Sequence, residues 1–208
     1  NYKKNKFGIN TFINRFSSEG YDLVDNDAVN TVEPFSNYTL NSKITYDFSE
    51  NTKLLLSGRF YHQNQDNVAS ETLKGKSEIN EWNTLAKLDH TFNEKWSSYL
   101  EFYATQYKAE EFLNDEIGNS FSRSDFNQLF VRPELRTTYQ LNEKNAFIGG
   151  VGLTHERLKR TDFFGTPVFN SPYIYAQYDG NPTEKINIIL GARFDDHSEY
   201  QSQFSPKG

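Results

Sequence analysis

Residues 128 to 141 read QLFVRPELRTTYQL, and their side chains sort into two sets by parity. Leu129, Val131, Pro133, Leu135, Thr137, Tyr139 and Leu141 form one set; Gln128, Phe130, Arg132, Glu134, Arg136, Thr138 and Gln140 form the other. A strand sends successive side chains to opposite faces, so this pattern specifies a strand with one apolar and one largely polar face. Residues 38 to 48 repeat it, with Tyr38, Leu40, Ser42, Ile44, Tyr46 and Phe48 set against Thr39, Asn41, Lys43, Thr45 and Asp47. Residues 186 to 195 set Ile186, Ile188, Leu190, Ala192 and Phe194 against Asn187, Ile189, Gly191, Arg193 and Asp195. Weaker versions occupy about 5 to 16, 53 to 63, 81 to 92, 96 to 107, 146 to 157 and 172 to 179. The expectation is an all-β chain with about nine strands of ten residues or more, longer than the ~5 to 6 usual in soluble sheets, and a partial tenth at 204 to 207. Pro133 lacks a ladder donor, which points to an edge or a bulge at that position.

The connections alternate in length. Short polar turns fall at 49 to 52, 93 to 95, 142 to 145 and 180 to 185; long polar stretches fall at about 17 to 36, 64 to 80, 108 to 125 and 158 to 171. In an antiparallel meander alternate connections share one end of the sheet, so one end is trimmed and the other carries the long loops. Transmembrane β-barrels have this asymmetry, with short periplasmic turns and longer outside loops. Tyr46, Phe48, Phe92, Trp96, Tyr139, Phe147 and Tyr178 gather beside the short turns, where a barrel carries its interfacial girdle. The mean hydropathy of -0.79 does not oppose this reading. A barrel hides its lipid face in period-two alternation, whereas a membrane helix would need a run of ~18 apolar residues. A soluble β-sandwich also alternates, with shorter strands and denser turns. A β-propeller matches the spacing of 40 to 50 residues but needs four short strands per repeat where this chain has two long ones.

The chain has no cysteine, which removes disulfides, thiolate metal sites and cysteine nucleophiles. A net charge of -6 argues against nucleic acid as a partner. Nucleophile elbow, phosphate loop and His-Glu-x-x-His are all missing, and Thr154-His155-Glu156-Arg157 lacks the second histidine of a zinc site. The expectation is a chain that is not an enzyme and holds no resident cofactor. Asp22, Asp25 and Asp27 sit in an acidic loop and offer a candidate calcium site, although Val29 replaces the third ligand of the calcium-loop pattern. On a barrel reading Arg132, Glu134 and Arg136 face the lumen.

The segment NIILGARFDDHSEYQSQFSPKG, residues 187 to 208, resembles a stretch common in TonB-dependent outer-membrane receptors. There a strand ending Gly-x-Arg-aromatic-Asp precedes a His-Ser loop and a Ser-Pro that opens the next strand. The matching residues are Gly191, Arg193, Phe194, Asp195, His197, Ser198, Ser205 and Pro206. SPYIYAQYDGNPTEKINIILGARFD is similar to the preceding hairpin, and KFGINTFINRFSSEGYD with NYTLNSKITYDFSENTKLLLSGRFY to early barrel strands of that family. The resemblance implies that residues 1 to 208 are part of a 22-stranded barrel that closes around a plug in the outer membrane. It implies import of a ferric siderophore, haem or cobalamin, energised by the TonB complex through the plug, with Arg132, Glu134 and Arg136 against that plug. A resemblance to cobalamin receptors would accommodate calcium at Asp22, Asp25 and Asp27. Two other functions fit the residues: a plug-less structural or adhesive outer-membrane barrel, and a soluble sandwich that stacks carbohydrate on Tyr99, Tyr103 and Tyr107.

Overall fold

The computed structural model describes residues 1–24 and 29–207. Among the described residues, eleven strands form one antiparallel sheet in sequence order. They are β1 (Tyr2–Lys4), β2 (Phe7–Ser18), β3 (Phe35–Asp47), β4 (Thr52–Val68), β5 (Lys74–Asn93), β6 (Trp96–Asn114), β7 (Ser120–Asn142), β8 (Asn145–Arg160), β9 (Val168–Thr183), β10 (Ile186–Asp195) and β11 (Gln203–Lys207). The sheet is open, since β1 and β11 are its two edges.

Strand register carries one apolar row across the whole sheet. Phe7, Tyr46, Leu54, Leu88, Leu100, Leu135, Val151, Ile174, Phe194 and Phe204 are partnered in succession from β2 to β11. Partnered residues share a face, so these ten side chains form one band. Most of them are exposed, with Leu100 at 53%, Ile174 at 55% and Phe204 at 65%. Ala104 and Tyr173 are the buried hydrophobic residues among those described. A single layer with one exposed apolar side is unstable in water and suited to a bilayer, whose hydrocarbon such a band can face. On β7 the apolar set runs from Leu129 to Leu141. Twelve steps of ~3.3 Å, tilted by ~40°, cover about 30 Å, close to the apolar height of an outer-membrane barrel.

The trimmed end is built from a repeated side-chain device. Asn93, Asn142 and Thr183 each precede a Glu-Lys pair, and the side-chain oxygen of each accepts the lysine N–H, from Lys95 at 2.9 Å, Lys144 at 3.0 Å and Lys185 at 3.3 Å. Such local bonds replace the ladder where the chain reverses. Among the described residues only Asn5 and glycines have positive φ, so the Glu-Lys turns are right-handed ones that splay their strands. A register shift beside each turn, at Thr91/Asn93, Gln140/Asn142 and Ile186/Ile188, restores the pairing. Aromatic pairs stand here, including Tyr46–Phe48 at 4.9 Å, Phe92–Trp96 at 5.0 Å and Phe147–Tyr178 at 5.3 Å.

At the other end the structure differs from the sequence expectation. Most of 64 to 80 and 108 to 125 is paired strand rather than loop, leaving connections of 69 to 73 and 115 to 119. The ladder continues because backbone hydrogen bonds do not require apolar side chains. Pro133 lies in the sheet interior instead of at an edge. Its partner on β6 is Phe102, while the β7–β8 pairing lapses between Val131 and Glu134 without a shift in register.

Candidate functional site on the polar face

The side of the sheet opposite the apolar band carries a cluster centred on Glu134. Register places Arg132, Glu134 and Arg136 of β7 on this face, opposite Tyr103, Glu101 and Tyr99 of β6. Glu134 Oε1 accepts hydrogen bonds from the hydroxyls of Tyr99 at 3.2 Å and Tyr175 at 3.0 Å, and Oε2 accepts one from Tyr173 at 2.6 Å. Hydrogen bonds to an ionised acceptor are the stronger kind, and three of them fix the carboxylate in place.

Tyr173 and Tyr175 belong to β9 and reach β7 by lying across β8. Their register partners on β8 are Gly152 and Gly150. A Cβ at Gly150 would stand 2.5 Å from the Tyr175 ring, and one at Gly152 would collide with the Tyr173 ring and approach the Pro133 carbonyl oxygen to 2.9 Å. The two glycines are thus the groove in which the rings lie.

Cations frame the cluster. The Arg193 guanidinium lies 3.9 Å from the Tyr173 ring centroid and is held by Asp195, with Nε donating at 2.8 Å and Nη2 at 2.6 Å. Lys87 Nζ is 4.4 Å from the Tyr99 ring centroid, and Arg136 is 5.8 Å from it. Arg132 pairs with Glu101 at 3.3 Å, while its buried Nε has no hydrogen-bond partner among the described residues. Among the described residues Arg136 and Lys207 have no carboxylate partner, and both border an open groove of about 340 Å³ with Glu134, Tyr175, Gln177 and Arg193. Chemically this is a place to dock an anionic or hydrogen-bonding group.

The residues expected to matter are distributed as follows. Arg132, Glu134 and Arg136 come together with Arg193 and Asp195; Ser205 is opposite Arg193, Gly191 opposite Gln177 and Lys207, and Pro206 opposite Ala192 on the apolar face. Tyr99, Tyr103 and Tyr107 share the polar face but form no free stack. Tyr99 binds Glu134, Tyr103 lies 6.1 Å from Phe130, and Tyr107 lies 5.8 Å from Phe126. Asp22 is remote, in the connection between β2 and β3, and Asp25 and Asp27 lie outside the described residues. Asp22 Oδ1 accepts from Val24 N at 3.0 Å and Thr31 Oγ1 at 3.1 Å. The Val24 amide is the main cause that holds its carboxyl below the usual value. Among the described residues no three His, Cys, Asp or Glu side chains gather as a metal site would require. Sequence reasoning missed Gly150, Gly152, Tyr173 and Tyr175, although Gly-x-Gly followed by Tyr-x-Tyr on the next strand was there to be seen.

No family model matches the chain, and no curated protein does. Solved structures do. The siderophore receptor PirA from Acinetobacter baumannii matches with a TM-score of 0.64 at 15% identity, over 98% of this chain and 35% of that one. This chain therefore spans about a third of that receptor's length. The translocator domain of the autotransporter NalP from Neisseria meningitidis matches at 0.45 and 8% identity, over 99% of this chain and 74% of that one. The toluene transporter TodX from P. putida matches at 0.40 and 8%, over 94% and 65%. The fold is that of part of a bacterial outer-membrane β-barrel.

Proposed function

We propose that residues 1 to 208 are part of the barrel of an outer-membrane receptor that imports a large, scarce ligand, of the class of ferric siderophores, haem and cobalamin, with energy delivered through TonB. The observation that carries this reading is the match of 98% of the chain to a siderophore receptor, together with the resemblance of residues 187 to 208 to that receptor class. The open sheet supports it, because eleven strands that leave β1 and β11 apart need further strands to close. The polar face supports it as well: Phe12 and Phe16 stand 55% exposed there, as they would in a lumen filled by another domain.

In this reading Arg132, Glu134 and Arg136 sit against the plug. Glu134 is already saturated and stiffens the wall, while Arg136 and Lys207 offer unpaired cations to acidic or carbonyl groups of the plug. The test is uptake by cells lacking the gene that encodes this chain, using labelled ferric siderophore, haem and cobalamin with and without a protonophore. Loss of protonophore-sensitive uptake of one of the three is expected. Unchanged uptake of all three overturns the reading.

A further inference from the structure

We infer that the trimmed end of the sheet binds the peptides of the cell wall, with the groove between the β5–β6 and β7–β8 turns taking the free amine and carboxylate groups that those peptides carry. The turns form a comb. Glu50 with Lys53, Glu94 with Lys95, Glu143 with Lys144 and Glu184 with Lys185 stand at four successive tips, and all eight side chains are exposed. Successive tips are two strands apart, ~10 Å. Among the described residues none of the eight enters an ion pair. The tips are also tied to one another through the backbone. Asn51 O accepts from Thr91 N at 2.9 Å, Lys95 O from Gln140 N at 2.7 Å, and Lys144 O from Asn181 N at 2.9 Å. Each turn is thereby held by the strand end that leads into the next one, so the backbone that carries these charges keeps a fixed spacing.

A groove of about 730 Å³ lies between two of these tips, with Glu94, Lys95, Leu141, Glu143, Lys144 and Pro182 in its lining. Its volume falls within the ~300 to 1,000 Å³ of small-ligand sites. The amides around it are engaged within the turns. Gln140 Nε2 donates to Asn142 O at 2.6 Å, Asn142 Oδ1 accepts from Lys144 N at 3.0 Å and Asn145 Nδ2 at 2.7 Å, and Asn181 Oδ1 accepts from Asn187 Nδ2 at 3.1 Å. The two carboxylates and two ammonium groups are what the groove offers a ligand. Equal numbers of opposite charges exert no net pull on a polyanion or a polycation. They match a partner that bears amine and carboxylate together. Cell-wall peptides are such a partner, and they lie on the side of the outer membrane to which barrels turn their short connections. A zwitterionic lipid headgroup has the same two signs, but on a single fluid molecule, whereas the wall repeats its peptides along a strand as the turns repeat along the sheet. The pairs Tyr46–Phe48, Phe92–Trp96 and Phe147–Tyr178 fit the membrane boundary, and the charged tips follow beyond them. The inference rests on the orientation of the barrel and is independent of what it transports.

The full-length protein that contains this chain, folded in detergent, provides the test. It is mixed with purified cell-wall sacculi, and retained protein is measured after sedimentation, beside sacculi stripped of their peptides by an amidase and with phosphatidylethanolamine vesicles as competitor. Intact sacculi are expected to retain the wild type, and stripped sacculi to retain at least about tenfold less, since several exposed charge pairs are lost at once. The vesicles are expected to displace none of it. The variant Glu94→Gln/Lys95→Gln/Glu143→Gln/Lys144→Gln, whose net charge is unchanged, is expected to lose retention by a similar factor, and Lys74→Gln/Glu116→Gln at the long-loop end to keep it. Absence of retention by intact sacculi overturns the inference, as does equal retention by stripped ones or full retention of the fourfold variant. Displacement by the vesicles overturns it too and assigns the turns to lipid. The comparisons with stripped sacculi and vesicles need no variant, so they decide the matter even if the fourfold variant fails to fold.

Discussion

At Glu134 three phenol hydroxyls from two strands meet one carboxylate, and two glycines on the strand between make the meeting possible. The arrangement predicts strong coupling between Gly150 and Tyr175. Gly150→Ala should destabilise the folded barrel by about 1 to 3 kcal/mol, since the added methyl meets a ring that its hydrogen bond holds in place. In a Tyr175→Leu background the same change should cost clearly less, by at least ~0.5 kcal/mol, in a double-mutant cycle of urea unfolding in lipid vesicles. Additive costs would show that the ring does not occupy the glycine. In the β2–β3 connection, Asp22 carries a pH dependence whose sign follows from its lowered pKa. The ordering it supplies is complete above its unfolded value, near 3.8, and is lost as pH falls through the lower folded value. Limited proteolysis should therefore find the Tyr21–Val32 bridge intact at pH 6 and increasingly opened as the pH is taken below 3.8, with Asp22→Asn open throughout.

At the level of the strand, the apolar band makes the sharpest prediction. Leu135 stands between Leu100 and Val151, 49% exposed. Leu135→Arg should cost about 2 to 4 kcal/mol in vesicle unfolding. An indistinguishable midpoint would place this side chain away from the lipid. That strand was legible because the bilayer imposes an apolar choice at every second residue from Leu129 to Leu141. The extents of β5, β6 and β7 were not, because outside the band the backbone ladder continues under mostly polar side chains, without the apolar alternation that would mark it. Arg193 and Asp195 were legible as same-face neighbours from spacing alone. The Tyr173–Gly152 and Tyr175–Gly150 contacts depend instead on the register between β8 and β9. The connection at 161 to 167 and the whole ladder fix that register, not the pattern within either strand.

Over the whole molecule, the open sheet leaves β2 uncovered from Asn10 to Ser18, beyond its short pairing with β1. Ile13 is 74% exposed along that edge. Unpaired strand edges recruit other strands, so the chain of residues 1 to 208 produced alone should associate in detergent as its concentration rises, by analytical ultracentrifugation. A monodisperse monomer at all concentrations would contradict the open edge. The ring-in-groove contacts bear on how such a wall comes together. The polar face of β8 runs Ile148, Gly150, Gly152, Thr154. Sliding β9 by two residues in one direction sets Tyr175 on Ile148, and in the other sets Tyr173 on Thr154. Only the native register seats both rings on glycine, so the two tyrosines act as a key and β8 as its lock, rejecting a misthreaded hairpin before the barrel wall closes over it.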